Sequence, residues 1–171
     1  IAMPHRSTQR IGLFALTRTL AWLRICAIAG QSTAVLVCAW WMHLAIPLLP
    51  LLLGIGLLAV FSVFAAWRLT QPWPLREWEA VGHIAFDTLV LGYLLYFTGG
   101  ASNPFITLLL VPIALSAAAL PGRAVLTVAA LAGVAYVSLL YSYVPLPLPM
   151  AADSPSRFTL HVVGMGVNFV I

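Results

Sequence analysis

Residues 99–105 read Gly99-Gly100-Ala101-Ser102-Asn103-Pro104-Phe105, a short polar stretch between two long apolar runs. Their order is that of a helix stop followed by a helix start. A Gly pair suits the left-handed position just past a helix C-terminus, and Asn is a preferred N-cap. Pro is favoured at the first helical position, because the N–H it lacks would be unpaired there. The stretch therefore predicts a helical hairpin, with Phe105 where an aromatic ring would meet a membrane surface.

Composition says what kind of helices these are. The 171 residues are 63% hydrophobic and 7% charged, with a mean hydropathy of +1.05. Soluble domains carry about 25% charged residues, so the chain is a membrane protein. Breakers divide the apolar sequence into runs at about 21–44, 47–67, 78–97, 104–120 and 124–144, with a sixth from 157 that is still apolar at Ile171. Crossing about 30 Å of hydrocarbon takes about 20 helical residues. The expected fold is an all-α integral membrane protein, a bundle of six transmembrane helices occupying 21–171 with the sixth truncated, and hence a fragment. Residues 1–20 carry Arg6, Arg10 and Arg18 and lack an apolar core ending in A-x-A. They are read as a cytoplasmic tail and not a cleaved signal peptide.

The chain has no Lys, so orientation rests on arginine. Arg6, Arg10, Arg18 and Arg24 lie in or just after the tail, Arg68 and Arg76 flank the second loop, and Arg123 follows Pro121-Gly122. Only Arg157 falls on the other side. The positive-inside rule then puts the N-terminus in the cytoplasm and the 99–105 turn outside, in a bacterium the periplasm. Trp40, Trp41, Tyr96, Phe97, Phe105, Tyr141 and Tyr143 gather near the outer ends as an aromatic belt. A net charge of +4 is explained by this topology and by anionic headgroups; with no basic, aromatic-interleaved stripe, nucleic-acid binding is set aside. Cys26 and Cys38 belong to no CxxC or Cys/His cluster, so buried free thiols are expected, with neither a metal site nor a disulfide framework.

Three polar features fall inside the apolar runs. His83 and Asp87 are four residues apart, hence on one helix face, with Asp87 about 18 Å below Gly99 and so near mid-bilayer. An ionised carboxylate there costs roughly 2.5–3.5 kcal/mol even on the lenient insertion scale. Asp87 is expected to be protonated, to pair with His83, or to face other polar groups; a structural pair and a proton relay are both open. In the sixth run His161 and Asn168 share a face with Gly164 and Met165 between them, which reads as helix packing first and a ligand contact second. Arg24, near the start of the first run, is placed to snorkel to the interface, and the deeper Gln31 to hydrogen-bond within the bundle. Pro112 is expected to kink the fourth helix.

At the turn, the helix that starts at Pro104 would aim its N-terminal amides and positive dipole end at a shallow pocket on the outer membrane edge. Glycines would let a flat ligand approach, and Phe97 or Phe105 could stack on it. A quinone suits such a site. From the residues alone, a plain hairpin turn without a ligand is the simpler reading.

Gly99-Gly100-x-x-Asn103-Pro104-Phe105, between the third and fourth of six helices, resembles the GGxxNPF signature of the RegB/PrrB-type redox-sensing histidine kinases. Leu23-Arg24 through Gly30-Gln31, Phe86-Asp87, and His161 with Gly164-Met165 and Asn168-Phe169 are similar as well, so the likeness runs from about Arg18 to Ile171. The resemblance implies a multi-pass sensor domain of the bacterial inner membrane. It further implies that ubiquinone binds reversibly at Gly99, Gly100, Asn103, Pro104 and Phe105, with the redox state of the quinone pool passed to a cytoplasmic kinase. It implies a homodimer and a cognate response regulator in a two-component system. The kinase half is absent from the sequence: no H-[ED]-x-x-x-P phosphoacceptor and no Gly-rich ATP-binding box is found. The chain as given is therefore not expected to be an enzyme, and Cys26 and Cys38 do not inherit the redox role of the kinase-half Cys. Two other readings stay open, a small proton-coupled transporter using Asp87 and a ligand-free anchor or dimerisation module.

Overall fold

A computed structural model describes residues 4–41 and 46–145. The fold is all-helical. α1 runs Pro4–Leu36 and ends in a π-helical turn, Val37–Trp41; α2 is Leu48–Thr70 and α3 is Glu77–Tyr96. Two 3₁₀ segments, Gly100–Ser102 and Pro104–Leu109, lead into α4, Leu110–Ala119, and α5 is Gly122–Tyr141. The sixth run, with His161 and Asn168, and the loop at 42–45 lie outside the described residues.

Three helices are long and apolar enough to cross a membrane, Gly12–Leu36, Leu48–Thr70 and Gly122–Tyr141. Their outward faces are apolar: Leu49, Val60, Val63, Leu126 and Val134 are all exposed, as side chains that face lipid would be. Trp67, Trp73 and Trp78 are exposed at one end of the bundle, Trp40 and Tyr141 at the other. Such rings suit the two membrane–water interfaces. The chain is an integral membrane protein built as a helical bundle.

α3 is the central helix and touches α1, α2, α4 and α5. That position explains its composition. It carries Glu77, Glu79, His83 and Asp87, which no lipid-facing helix tolerates well but which four surrounding helices can shelter. Small residues, Ala65, Ala80, Ala124 and Ala132, are buried where helices meet, allowing the close approach that drives packing when lipid offers no hydrophobic contrast. Thr17, Thr88 and Ser116 are buried and bond back to the carbonyls of Leu13, Ile84 and Ile113 at 2.8 Å each, so none is left unsatisfied.

Two elements differ from the sequence reading. The stretch read as a tail over 1–20 is helical from Pro4, and Leu13, Leu16 and Leu20 pack against Ala80, Ile84, Ala124 and Val128. The 3–4-residue spacing of those leucines already belongs to α1, so Arg24 stands in mid-helix and not at its entrance. Pro112 introduces no mid-helix break. α4 begins at Leu110, which puts Pro112 in its first turn, where a missing N–H costs little. The irregularity lies upstream, in the 3₁₀ segment. With its longer rise, 104–119 spans about 27 Å, close to the bilayer's hydrocarbon thickness.

Candidate functional site

The 99–105 turn folds as its residue order dictates. Gly99 and Gly100 have φ of 102° and 55°, the left-handed region that side chains disfavour. Asn103 is extended at φ −73°, ψ 128°, and caps the following segment: its Oδ1 accepts from the Phe105 N–H at 2.9 Å. The same amide works in the other direction, with Nδ2 donating to the Thr98 carbonyl at 2.9 Å and to Thr98 Oγ1 at 2.8 Å. Asn103 is thus a clasp between the end of α3 and the start of the α4 segment.

The glycines make room for protein. A Cβ on Gly100 would collide with Cβ and Cγ of Tyr143 and stand 3.0 Å from the Leu139 carbonyl. Close approach at Gly100, expected to serve a flat ligand, is taken by the chain after α5, which also ties itself to α3 through Val144 N–H to the Tyr96 carbonyl at 2.8 Å. Phe105 packs half-buried beside Leu95, Leu109 and Leu139, and Phe97 lies edge-on to Tyr93 and Tyr96, both at 5.0 Å. Tyr96, Phe97 and Phe105 are half-buried, each packed in part against the bundle. Ser102 is the exposed residue of the turn, and Ala101, Asn103, Pro104 and Phe105 are half-buried. The Asn103 Nδ2 and Oδ1 are both engaged within the turn.

The second polar site was only half visible beforehand. Asp87 is paired with Arg24 of α1 and not with His83. Arg24 Nε and Nη2 donate to the two carboxylate oxygens at 2.7 Å each. The pair joins the middle of the Gly12–Leu36 span to the middle of α3, and the Arg24 side chain is 1% exposed against 23% for Asp87. A bidentate guanidinium neutralises a carboxylate at mid-bilayer far better than an imidazole on its own helix, which is why His83 loses the competition. Arg24 also lies over the Phe61 ring at 4.7 Å, and Phe61 stacks on Phe86 at 3.8 Å. The expected snorkelling of Arg24 is overturned by its burial. Among the described residues the buried Oε1 of Gln31 has no partner. The signal that could have found Arg24 was its place four residues after Leu20 on the Leu13–Leu16–Leu20 face.

Cys26 is a free thiol, exposed on α1 where a buried one was expected. Among the described residues no group of three His, Cys, Asp or Glu side chains gathers as a metal site. A hollow of about 390 Å³ opens between α2 and α3, lined by Leu53, Gly54, Leu57, Phe86, Val90 and Tyr93. Tyr93 on its wall contacts Phe97 beside the turn.

Residues 7–171 match the family described as the PilS-like transmembrane domain. The chain is also similar to the sensor histidine kinase RegB of Cereibacter sphaeroides, with 34% identity over 139 residues. Those residues are 80% of this chain but 29% of that kinase, so the chain spans under a third of its relative. No solved structure matches it.

Proposed function

Because this chain belongs to the PilS-like transmembrane domain family, we propose that it is the membrane sensor domain of a bacterial sensor histidine kinase. Its ligand is ubiquinone, held reversibly at the 99–105 turn by Gly99, Gly100, Asn103, Pro104 and Phe105. The N-terminus lies in the cytoplasm and the turn on the periplasmic side of the inner membrane. A homodimer passes the redox state of the quinone pool to a kinase domain and its response regulator.

The single observation that supports the site is the two-way clasp at Asn103. A bound quinone supplies carbonyl acceptors when oxidised and hydroxyl donors when reduced. Asn103 Nδ2 has hydrogens to donate to the first, at the expense of Thr98; Oδ1 can accept from the second, at the expense of Phe105 N–H. The two redox forms thus loosen opposite arms of one clasp, one toward α3 and the other toward the α4 segment. A ligand shifts a two-state bundle only by its differential affinity. One hydrogen bond of about 1 kcal/mol net moves the balance roughly fivefold. Phe105 positions the ring plane, and Pro104 fixes the backbone. The bidentate grip of Arg24 on Asp87 counts against a transporter that would need that carboxylate free.

The test is the quinone that co-purifies with the protein. Wild type should carry ubiquinone extractable by organic solvent. Asn103→Ser, which keeps a capping oxygen but removes the amide donors, should carry little, as should Phe105→Ala. Equal quinone content in all three would refute the site.

A further inference from the structure

The four helices around α3 do not close into a ring. α2 touches α1, α1 touches α4 and α4 touches α5, but among the described residues α2 and α5 make no contact. The gap lies where α3 is bare. Trp78, Gly82, Leu89 and Tyr93 are exposed, and at about 100° per residue they fall within about 60° of arc on one face. A Cβ on Gly82 would meet nothing within 4 Å. To either side of this arc α3 is engaged, with Leu94 against Gly54 of α2 and Gly92 against Ala135 of α5.

Two hollows border the bare face. The one of about 390 Å³ has Leu53 and Leu57 of α2 opposite Leu89 and Tyr93, and another of about 240 Å³ has Arg123 and Thr127 of α5 opposite Trp78 and Val81. Together they form a furrow along α3, walled by α2 and α5. The chain leaves the described bundle at the outer end of this furrow. Tyr143 lies against Gly100 there, and the Val144 N–H donates to the Tyr96 carbonyl at 2.8 Å. Residues 146–156 can extend about 36 Å, some three times a helix diameter of about 10 Å. Beyond them, 158–171 carry no Asp, Glu, Lys or Arg and include Gly164 and Gly166, small residues of the kind that let helices approach closely in lipid. A segment tethered at the mouth of a site acts at an effective concentration of about millimolar, an advantage a second copy lacks.

We propose that the bare face of α3 is a helix-docking surface and that residues 158–171 of the same chain occupy it, antiparallel to α3 and seated between α2 and α5. The family match runs through 171, which puts this segment in the same domain as the furrow. With residue 158 level with Tyr96, a rise of about 1.5 Å per residue brings His161 level with Tyr93, Met165 with Leu89 and Asn168 with Phe86. All three α3 positions line the larger hollow. The face that carries His161, Met165 and Asn168 therefore fills it, and His161 gains the Tyr93 hydroxyl as a hydrogen-bond partner. This docking is independent of any ligand at the turn.

The experiment uses the full chain in lipid nanodiscs with Cys38→Ser, so that Cys26, exposed on α1, is the remaining native thiol. With Leu89→Cys added, a membrane-soluble maleimide should label position 89 roughly tenfold more slowly than Cys26, because a thiol reacts according to its exposure. With Met165→Cys added as well, copper-phenanthroline oxidation should bridge positions 89 and 165 within one chain and leave Cys26 free. Equal labelling of Cys26 and position 89 would overturn the proposal. So would the absence of an 89–165 bridge, a bridge from 165 to Cys26 in its place, or bridges from 89 that join two chains. Leu89 is exposed on the described bundle, so Leu89→Cys removes little packing there, and the labelling readout leaves 158–171 unaltered.

Discussion

The turn at 99–105 and the ion pair at Arg24–Asp87 are both polar devices in an apolar bundle, but they are built over different distances along the chain. Every side-chain hydrogen bond of Asn103 reaches a residue two to five positions away. The Arg24–Asp87 pair joins residues 63 positions apart. The turn is made by local geometry that any correct assembly of α3 and α4 will contain. The pair exists only when α1 and α3 have found each other in the right register, so it reports tertiary assembly. In the sensor proposed above, the turn would be the compact element that a ligand disturbs and the pair the remote one that holds α1 to α3.

Substitutions can break this contrast, and the largest effect is expected at the pair. Arg24→Leu leaves the half-buried Asp87 carboxylate unpaired within the bundle, which should destabilise it by about 3 kcal/mol, the lower end for a broken buried pair, measured by reversible unfolding in mixed micelles. Arg24→Leu with Asp87→Leu should recover most of that loss. A double variant as unstable as the single would mean that the pair is not the source of the effect.

Next comes Gly100→Ala. At φ 55° a side chain is strained by roughly 1–3 kcal/mol, and the new methyl also meets Tyr143. The collision involves Tyr143 Cβ, so Tyr143→Ala should not rescue it; restored stability in that double variant would show that the ring alone is responsible. Asn103→Ala removes a helix cap and should cost about 1 kcal/mol, with Asn103→Ser near wild type. The smallest effect belongs to Arg123→Ala. Its partner Glu77 is 3.3 Å away, but Arg123 is 83% exposed, so less than about 0.5 kcal/mol is expected, and less still in high salt.

The same division explains how much was legible in the sequence. The turn could be read from Gly99, Asn103 and Pro104 because caps and left-handed glycines are local chemistry. Membrane class and helix number followed from apolar runs of span length. Arg24 could not be placed while 1–20 was read as a tail, because the charge of Arg6, Arg10 and Arg18 masked the Leu13–Leu16–Leu20 stripe that begins the span. Its partner required knowing that α1 packs on α3, which no periodicity reveals. The filling of Gly100 by Tyr143 was hidden for the same reason: it joins positions 43 residues apart that meet only when α5 returns to α3.

The central claim, that the turn is where quinone is read, is tested most directly by titrating the purified full chain in nanodiscs with ubiquinone and with ubiquinol. The account predicts saturable binding of both forms. Asn103→Ser should weaken the oxidised form about tenfold or more, the loss of a hydrogen bond worth roughly 1.4 kcal/mol. It should weaken the reduced form less, because the serine oxygen still accepts. Binding of both forms unchanged by Asn103→Ser and by Phe105→Ala would contradict it.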